Sequence, residues 1–157
     1  MLELPHTVVG GLIASKIPNP LISLPLALLS HFLTDLIPHW DPSLYSDFQK
    51  TGHASRKTTI WIIVDAVLSL GFGFFIASRA LPDWKQAIII VLGCFFAVAP
   101  DVIEGFYYFL GWRAKFLKNL IEFQHRLQVN VPFLPGVFTQ VIVILLSLCM
   151  ILSSYQL

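Results

Sequence analysis

Charge is what this chain has least of. Only 12% of its 157 residues are Asp, Glu, Lys or Arg, against about 25% in soluble domains. The ten Lys and Arg are offset by nine Asp and Glu, for a net charge of +1. That excludes the basic field on which nucleic-acid binding depends, so no nucleic-acid partner is expected. Cysteine is scarce too: Cys94 and Cys149 both sit inside apolar runs, which excludes a disulfide framework and says nothing of redox compartment. Repeats and low-complexity tracts are missing. No Lys or Arg precedes the first apolar stretch, so no cleaved signal peptide is expected and the N-terminus should be retained. What remains is apolar: 56% hydrophobic residues and a mean hydropathy of +0.76 exclude disorder and a water-soluble globule. The expected solvent is a lipid bilayer, and residues 1–157 form a single integral-membrane domain.

A hydrocarbon core is crossed by about 17 to 25 helical residues. Four stretches meet or approach that length: Leu21 to Ile37, Thr59 to Ser78, Gln86 to about Glu104, and Phe133 to Ser153. A fifth, Thr7 to Ser15, is shorter and ends in Lys16-Ile17-Pro18-Asn19-Pro20, a double-proline turn that returns the chain into the Leu21 helix as a hairpin. Residues Phe106 to Arg126 mix aromatics with Arg113, Lys115, Lys118 and Glu122, the pattern of an amphipathic helix lying at the interface. The expected fold is an all-α polytopic membrane bundle of about four spanning helices, plus the short N-terminal hairpin helix and the interfacial helix.

Orientation follows from cations near span ends, which resist translocation. Loops 38–58 and 105–132 carry seven: Lys50, Arg56, Lys57, Arg113, Lys115, Lys118 and Arg126. The opposite face carries three, Lys16, Arg79 and Lys85, so the seven-cation face should be cytoplasmic. Trp40, Trp61 and Trp112 then fall at one boundary and Trp84 at the other, as interfacial indoles do.

This arrangement gathers the ionisable residues at one depth. His31, Asp35, His39 and Asp41 lie at the cytoplasmic end of the second helix, Asp65 near the start of the third, Asp101 and Glu104 late in the fourth, and His6 at the start of the first. A carboxylate in a membrane helix costs roughly 2.5 to 3.5 kcal/mol at the centre unless it is compensated. The cations on this side are all in loops, whereas the groups interleaved with the acids are histidines. Neutral imidazole with carboxylate is a ligand set for Zn, Mn or Fe. His31 and Asp35, at i and i+4, present both donors from one helical face. The candidate metal ligands are therefore His6, His31, Asp35, His39, Asp65, Asp101 and Glu104, for one or two divalent ions, with zinc the leading identity.

Structural readings stand beside this one. His39 and Asp41 follow Pro38 at a helix exit and fit an ordinary loop. Asp65 has alternative partners in Arg56 and Lys57, Asp101 with Glu104 has capping-box spacing, and His53 fits a solvated position.

The segments Pro5-His6-Thr7, Ser30-His31 through Asp35, Pro100-Asp101 and His125-Arg126 together resemble the bacterial membrane-bound metal-dependent hydrolase family, which includes LexA-regulated inner-membrane hydrolases. That family is similar in turn to zinc-dependent phospholipase C. The chain departs from the pattern: Ile103 stands where a second acid belongs, with Glu104 after it, and His125-Arg126 is followed by Leu127-Gln128-Val129-Asn130 rather than Thr-His-Ser. The order of the elements differs as well. The resemblance implies a metal-dependent hydrolase of the bacterial inner membrane.

The leading expectation is hydrolysis of a lipid phosphoester at the cytoplasmic leaflet. In it Arg126, with Arg56 and Lys57, holds the phosphate, and His125 protonates the leaving oxygen. The alternative is a non-catalytic membrane protein whose metal or ion-pair cluster is structural or regulatory. Transport is disfavoured because the last span carries only Gln140 among long polar side chains, and an acyltransferase reading of His31-x-x-x-Asp35 lacks a thioester-binding element.

Overall fold

The computed structural model describes residues 1–42 and 44–153. Among them the regular structure is helical: α1 (Glu3–Lys16), α2 (Pro20–Thr34), α3 (Leu44–Thr51), α4 (Arg56–Ser78), α5 (Trp84–Tyr108), α6 (Lys115–Leu127) and α7 (Phe133–Leu152). Several starts are set by local capping. The side chain of Asn19 accepts from Leu21 N–H, that of Ser55 from Thr58 N–H, and that of Asp83 from Gln86 N–H, each satisfying an amide that the first helical turn leaves without a partner.

Three helices, α4, α5 and α7, are long and apolar enough to cross a membrane. α2 has 15 residues, about 22 Å at 1.5 Å per residue, short of the roughly 30 Å hydrocarbon thickness. The all-α expectation holds, and the hairpin joining α1 to α2 through the Pro18 turn is present. The expected amphipathic segment divides: Phe106 to Tyr108 belong to α5, and α6 alone is amphipathic, burying Leu117, Ile121 and Gln124. α3, inside the expected loop 38–58, buries none of its described residues.

α1 runs through the middle of the bundle and packs against α2, α4, α5 and α7. Small residues make this possible. A Cβ on Gly10 would lie 2.4 Å from the carbonyl oxygen of Gly93 and 2.5 Å from Ala97 Cβ, and one on Gly93 would lie 2.5 Å from Ala14 Cβ. The α1–α5 crossing is thus a close backbone approach between small-residue faces, the way helices associate when lipid offers no hydrophobic drive. Val8, Ala14, Ile76, Ile90 and Ile151 fill the core around it. Large apolar side chains such as Val67, Leu70, Phe74, Leu134 and Leu146 face outward instead. A belt of this kind on helices of spanning length is the surface of a membrane protein.

The connections at one end of the bundle are tied to one another. Val129 N–H donates to the Asp35 carbonyl, His39 N–H to the Val129 carbonyl, and Val131 N–H to the His39 carbonyl. Tyr45 of α3 stacks on His125 of α6 with ring centroids 4.0 Å apart, and the Arg113 guanidinium lies 5.4 Å from the Phe48 ring centroid. Loops 38–58 and 105–132 therefore share one face.

Candidate metal centre

Three helices supply the ionisable groups that meet beneath that face. α1 contributes His6, α2 contributes His31 and, at its C-cap, Asp35, and α5 contributes Asp101. His6, His31 and Asp101 each offer one ligand atom, all within 4.8 Å of one another, and could hold a metal ion. Asp35 adjoins them. His6 Nε2 is 3.3 Å from Asp35 Oδ1, and His31 Nε2 is 3.7 Å from Asp35 Oδ2 and 3.6 Å from Asp101 Oδ1. His6, His31 and Asp35 are buried, whereas the Asp101 side chain is 23% exposed.

Hydrogen bonds at Nδ1 orient both histidine rings. His31 Nδ1 lies 2.8 Å from the carbonyl oxygen of Ala97, which can only accept. His6 Nδ1 lies 2.8 Å from the Thr34 hydroxyl, whose own hydrogen is directed at the Ser30 or His31 carbonyl. With the Thr34 hydrogen on one of those carbonyls, both imidazoles donate through Nδ1–H and turn Nε2 toward the acids, where the Met1 nitrogen lies 3.4 Å from His6 Nε2. Outer partners of this kind fix the ring orientation of ligating histidines in metalloproteins. Pro100 lies inside α5 and leaves the Phe96 carbonyl without its helical N–H donor.

The oxygens also fit a cation. Asp35 Oδ2 and Gln124 Oε1 are buried without a hydrogen-bond partner among the described residues, a costly state for polar atoms. Two imidazoles and two carboxylates, one with an unpartnered oxygen, form a donor set for a divalent ion. Part of the set has hydrogen-bond donors: the Met1 backbone nitrogen donates to Asp35 Oδ1, and Gln124 Nε2 lies 3.2 Å from Asp101 Oδ1 and 3.3 Å from His31 Nε2.

The remaining sequence candidates are distributed around this group. Asp65 accepts from the backbone N–H groups of Glu3 at 2.5 Å and Leu4 at 3.1 Å. It thereby supplies from α4 the N-terminal cap that α1 lacks, since Leu2 has no capping side chain. His39 is buried, its Nδ1 donating to the Ile37 carbonyl at 2.8 Å while Nε2 has no partner among the described residues. It is not in the His6–His31–Asp101 group, and burial lowers its pKa to about 4. Asp101 and Glu104 do not open a helix as capping-box spacing suggests, because α5 runs unbroken through both. His53 is exposed.

Asp101 also borders a cavity of about 270 Å³ between α3, α5, α6 and the start of α1. Its walls include the carboxylates of Glu3, Asp41, Asp65, Asp101 and Glu104 together with Tyr45, Tyr108 and His125. No Lys or Arg lines it among the described residues. Arg126 is exposed and outside the lining, as are Arg56 and Lys57. Burial pushes the Asp41 pKa up to about 7, with Asp101, Asp35 and Asp65 adding like-charge repulsion. Glu3 is pushed up to about 8 by burial and then by Asp101 and Asp65.

Two contributors, Thr34 and Gln124, were not singled out from the sequence, and a third, Gln140, stood out there only as the long polar side chain of the last span. Thr34 orients His6, and Gln124 contacts both His31 and Asp101. Gln140 accepts from Leu2 N–H and donates to the Trp40 carbonyl, both at 2.9 Å, bracing the start of α1 against the loop after α2. A signal for Gln124 exists: it lies at i+7 from Leu117 and i+3 from Ile121, a polar residue on the buried stripe of an amphipathic helix. No family model, curated protein or solved structure matches the chain.

Proposed function

We propose that this chain is a membrane-embedded metal-dependent hydrolase that acts on a lipid phosphoester. The observation that carries the reading is the convergence of the two Nε2 lone pairs of His6 and His31 with Asp35 and Asp101 beside an acidic cavity. The resemblance of His6, Ser30-His31, Asp35, Pro100-Asp101 and His125-Arg126 to the bacterial membrane-bound metal-dependent hydrolases supports it. So does the excess of cations on the loops at the site's end, which favours a site facing the cytoplasmic leaflet of the bacterial inner membrane. In this reading the apolar stretch through α2 and its following turn, Leu21 to Ile37, is a fourth crossing, about 25 Å at 1.5 Å per residue.

His6, His31, Asp35 and Asp101 would hold one ion, with zinc favoured by the imidazole and carboxylate set and Mn or Fe as alternatives. The carboxylates lining the cavity leave room for a second ion. A divalent ion supplies Lewis acidity toward a phosphoryl oxygen and toward water. The chain supplies the rest. Asp41 at the cavity wall is placed to accept a proton. His125 lines the cavity and is held flat against Tyr45, placed to protonate a leaving oxygen. An acidic wall repels a phosphate, so substrate charge is met by the ion, and Arg126, Arg56 and Lys57 meet the headgroup region outside the cavity.

A second reading has its own observation. The Met1 nitrogen and the Gln124 amide already satisfy part of Asp35, His31 and Asp101, as a structural or regulatory polar cluster requires. One experiment separates the two. Protein in lipid vesicles, supplied with Zn²⁺ or Mn²⁺, is assayed against phospholipids and polyprenyl phosphates. Metal-dependent turnover, abolished in Asp101→Asn with the fold intact, supports hydrolysis. Turnover of no phosphoester by metal-loaded protein favours the structural reading.

A further inference from the structure

Gln124 is the polar side chain at the centre that the metal reading leaves unused. Its side chain is 1% exposed. The amide nitrogen bridges Asp101 Oδ1 and His31 Nε2, while the amide oxygen is buried with no partner among the described residues. The His31 proton is on Nδ1, committed to the Ala97 carbonyl, so Nε2 is an acceptor and the Gln124 N–H points at the lone pair that would bind an ion. A cation held by His31 Nε2 and Asp101 would face the positive end of that N–H bond. A half-turn of the amide about its last side-chain bond relieves the conflict, because the nitrogen and oxygen of a glutamine exchange places with almost no change of shape. The unpartnered oxygen would then face the cation.

We infer that Gln124 is a further, neutral ligand of the metal centre. Without an ion its N–H groups bridge His31 and Asp101; with an ion its Oε1 coordinates. The inference rests on the metal reading proposed above. It carries a consequence for α6, whose other buried residues are only Leu117 and Ile121. Coordination through Gln124 ties α6 to α1, α2 and α5 at one point, so metal occupancy orders the helix that presents Ile121 and His125 to the cavity.

Cobalt(II) is the probe, titrated into wild type, Gln124→Glu and Gln124→Leu in detergent. Affinity, the visible absorption of bound cobalt, and hydrogen exchange of residues 115–127 are read together. Wild type is expected to bind cobalt and gain protection across α6. Gln124→Glu, an oxygen donor of full charge, should bind at least as tightly. Gln124→Leu should bind at least about tenfold more weakly, with an altered spectrum and no gain in α6 protection. Unchanged affinity and spectrum in Gln124→Leu overturns the inference and leaves the metal reading standing. Wild type that binds no cobalt overturns both. Where Gln124→Leu does not fold, weaker binding by Gln124→Glu than by wild type overturns the inference.

Discussion

His6 and His31 lie face to face, their ring centroids 4.1 Å apart and their planes 25° from parallel, although they belong to different helices. Two buried imidazoles at that separation cannot both carry charge, because each would face a like charge in a low dielectric. Nδ1–H of His31 directed at the Ala97 carbonyl, and Nδ1 of His6 at the Thr34 hydroxyl, leave both Nε2 atoms facing the acids, as ligation requires.

Ligands and caps should separate in their effects. His31→Ala and Asp35→Ala are expected to lower both the metal content of purified protein and its thermal stability, since an ion bound only by the folded bundle stabilises it by mass action. Asp65→Ala removes the cap of α1 and should cost about 1–2 kcal/mol with metal stoichiometry retained. Elemental analysis with thermal unfolding checks both. Unchanged metal content in the two ligand variants would count against the centre, and loss of metal in Asp65→Ala would make that residue more than a cap.

The α1–α5 crossing sets the position of His6. Gly93→Ala places a methyl 2.5 Å from Ala14 Cβ and 2.9 Å from the Gly10 carbonyl oxygen, so the helices must separate. The expected cost is about 1–3 kcal/mol, accompanied by weaker metal binding because His6 moves with α1. Gly71→Ala, where an added Cβ meets nothing within 4 Å, is the control and should leave both properties near wild type.

Asp41 predicts a pH dependence. Its folded pKa of about 7 lies above its ordinary value of 3.8, so the folded state holds this proton more tightly than the unfolded state. The resulting stabilisation is complete below about pH 4 and is lost as pH rises through 7. His39 acts in the opposite sense: with its pKa lowered from 6.5 to about 4, its contribution is present above pH 6.5 and lost as pH falls toward 4. A difference measurement isolates Asp41. The stability of Asp41→Asn relative to wild type, both in chelator, should grow from pH 4 to pH 7 and level off above. A difference that stays flat across that range contradicts the raised pKa.

Topology is open to labelling. In a background lacking Cys94 and Cys149, single cysteines at Ser46 and Lys118 should react with an impermeant reagent from the same side of the membrane, and one at Asp83 from the other. Tyr45 stacked on His125, and Arg113 over Phe48, already hold the first two segments at one end of the bundle. Opposite labelling of Ser46 and Lys118 would break the site apart.

Much of this protein is legible in its residue order, because the signals are local. Apolar runs of spanning length mark α4, α5 and α7, Pro18 and Pro20 end one helix and begin the next, and the scarcity of charge selects lipid as solvent. His31 and Asp35, one helical turn apart, announce a shared donor face. The tertiary structure alone decided which acids join them. Asp65 and Asp101 look alike in sequence, each a carboxylate within an apolar helix, yet Asp65 turns to the amides of α1 whereas Asp101 meets His31 and Gln124. That difference depends on where α1 crosses its neighbours, which rests on Gly10 and Gly93 approaching closely enough to bring backbones into contact. Helical periodicity fixes the face a residue occupies within its own helix; the partner across the gap, and the direction of a lone pair toward it, follow only from how the helices pack.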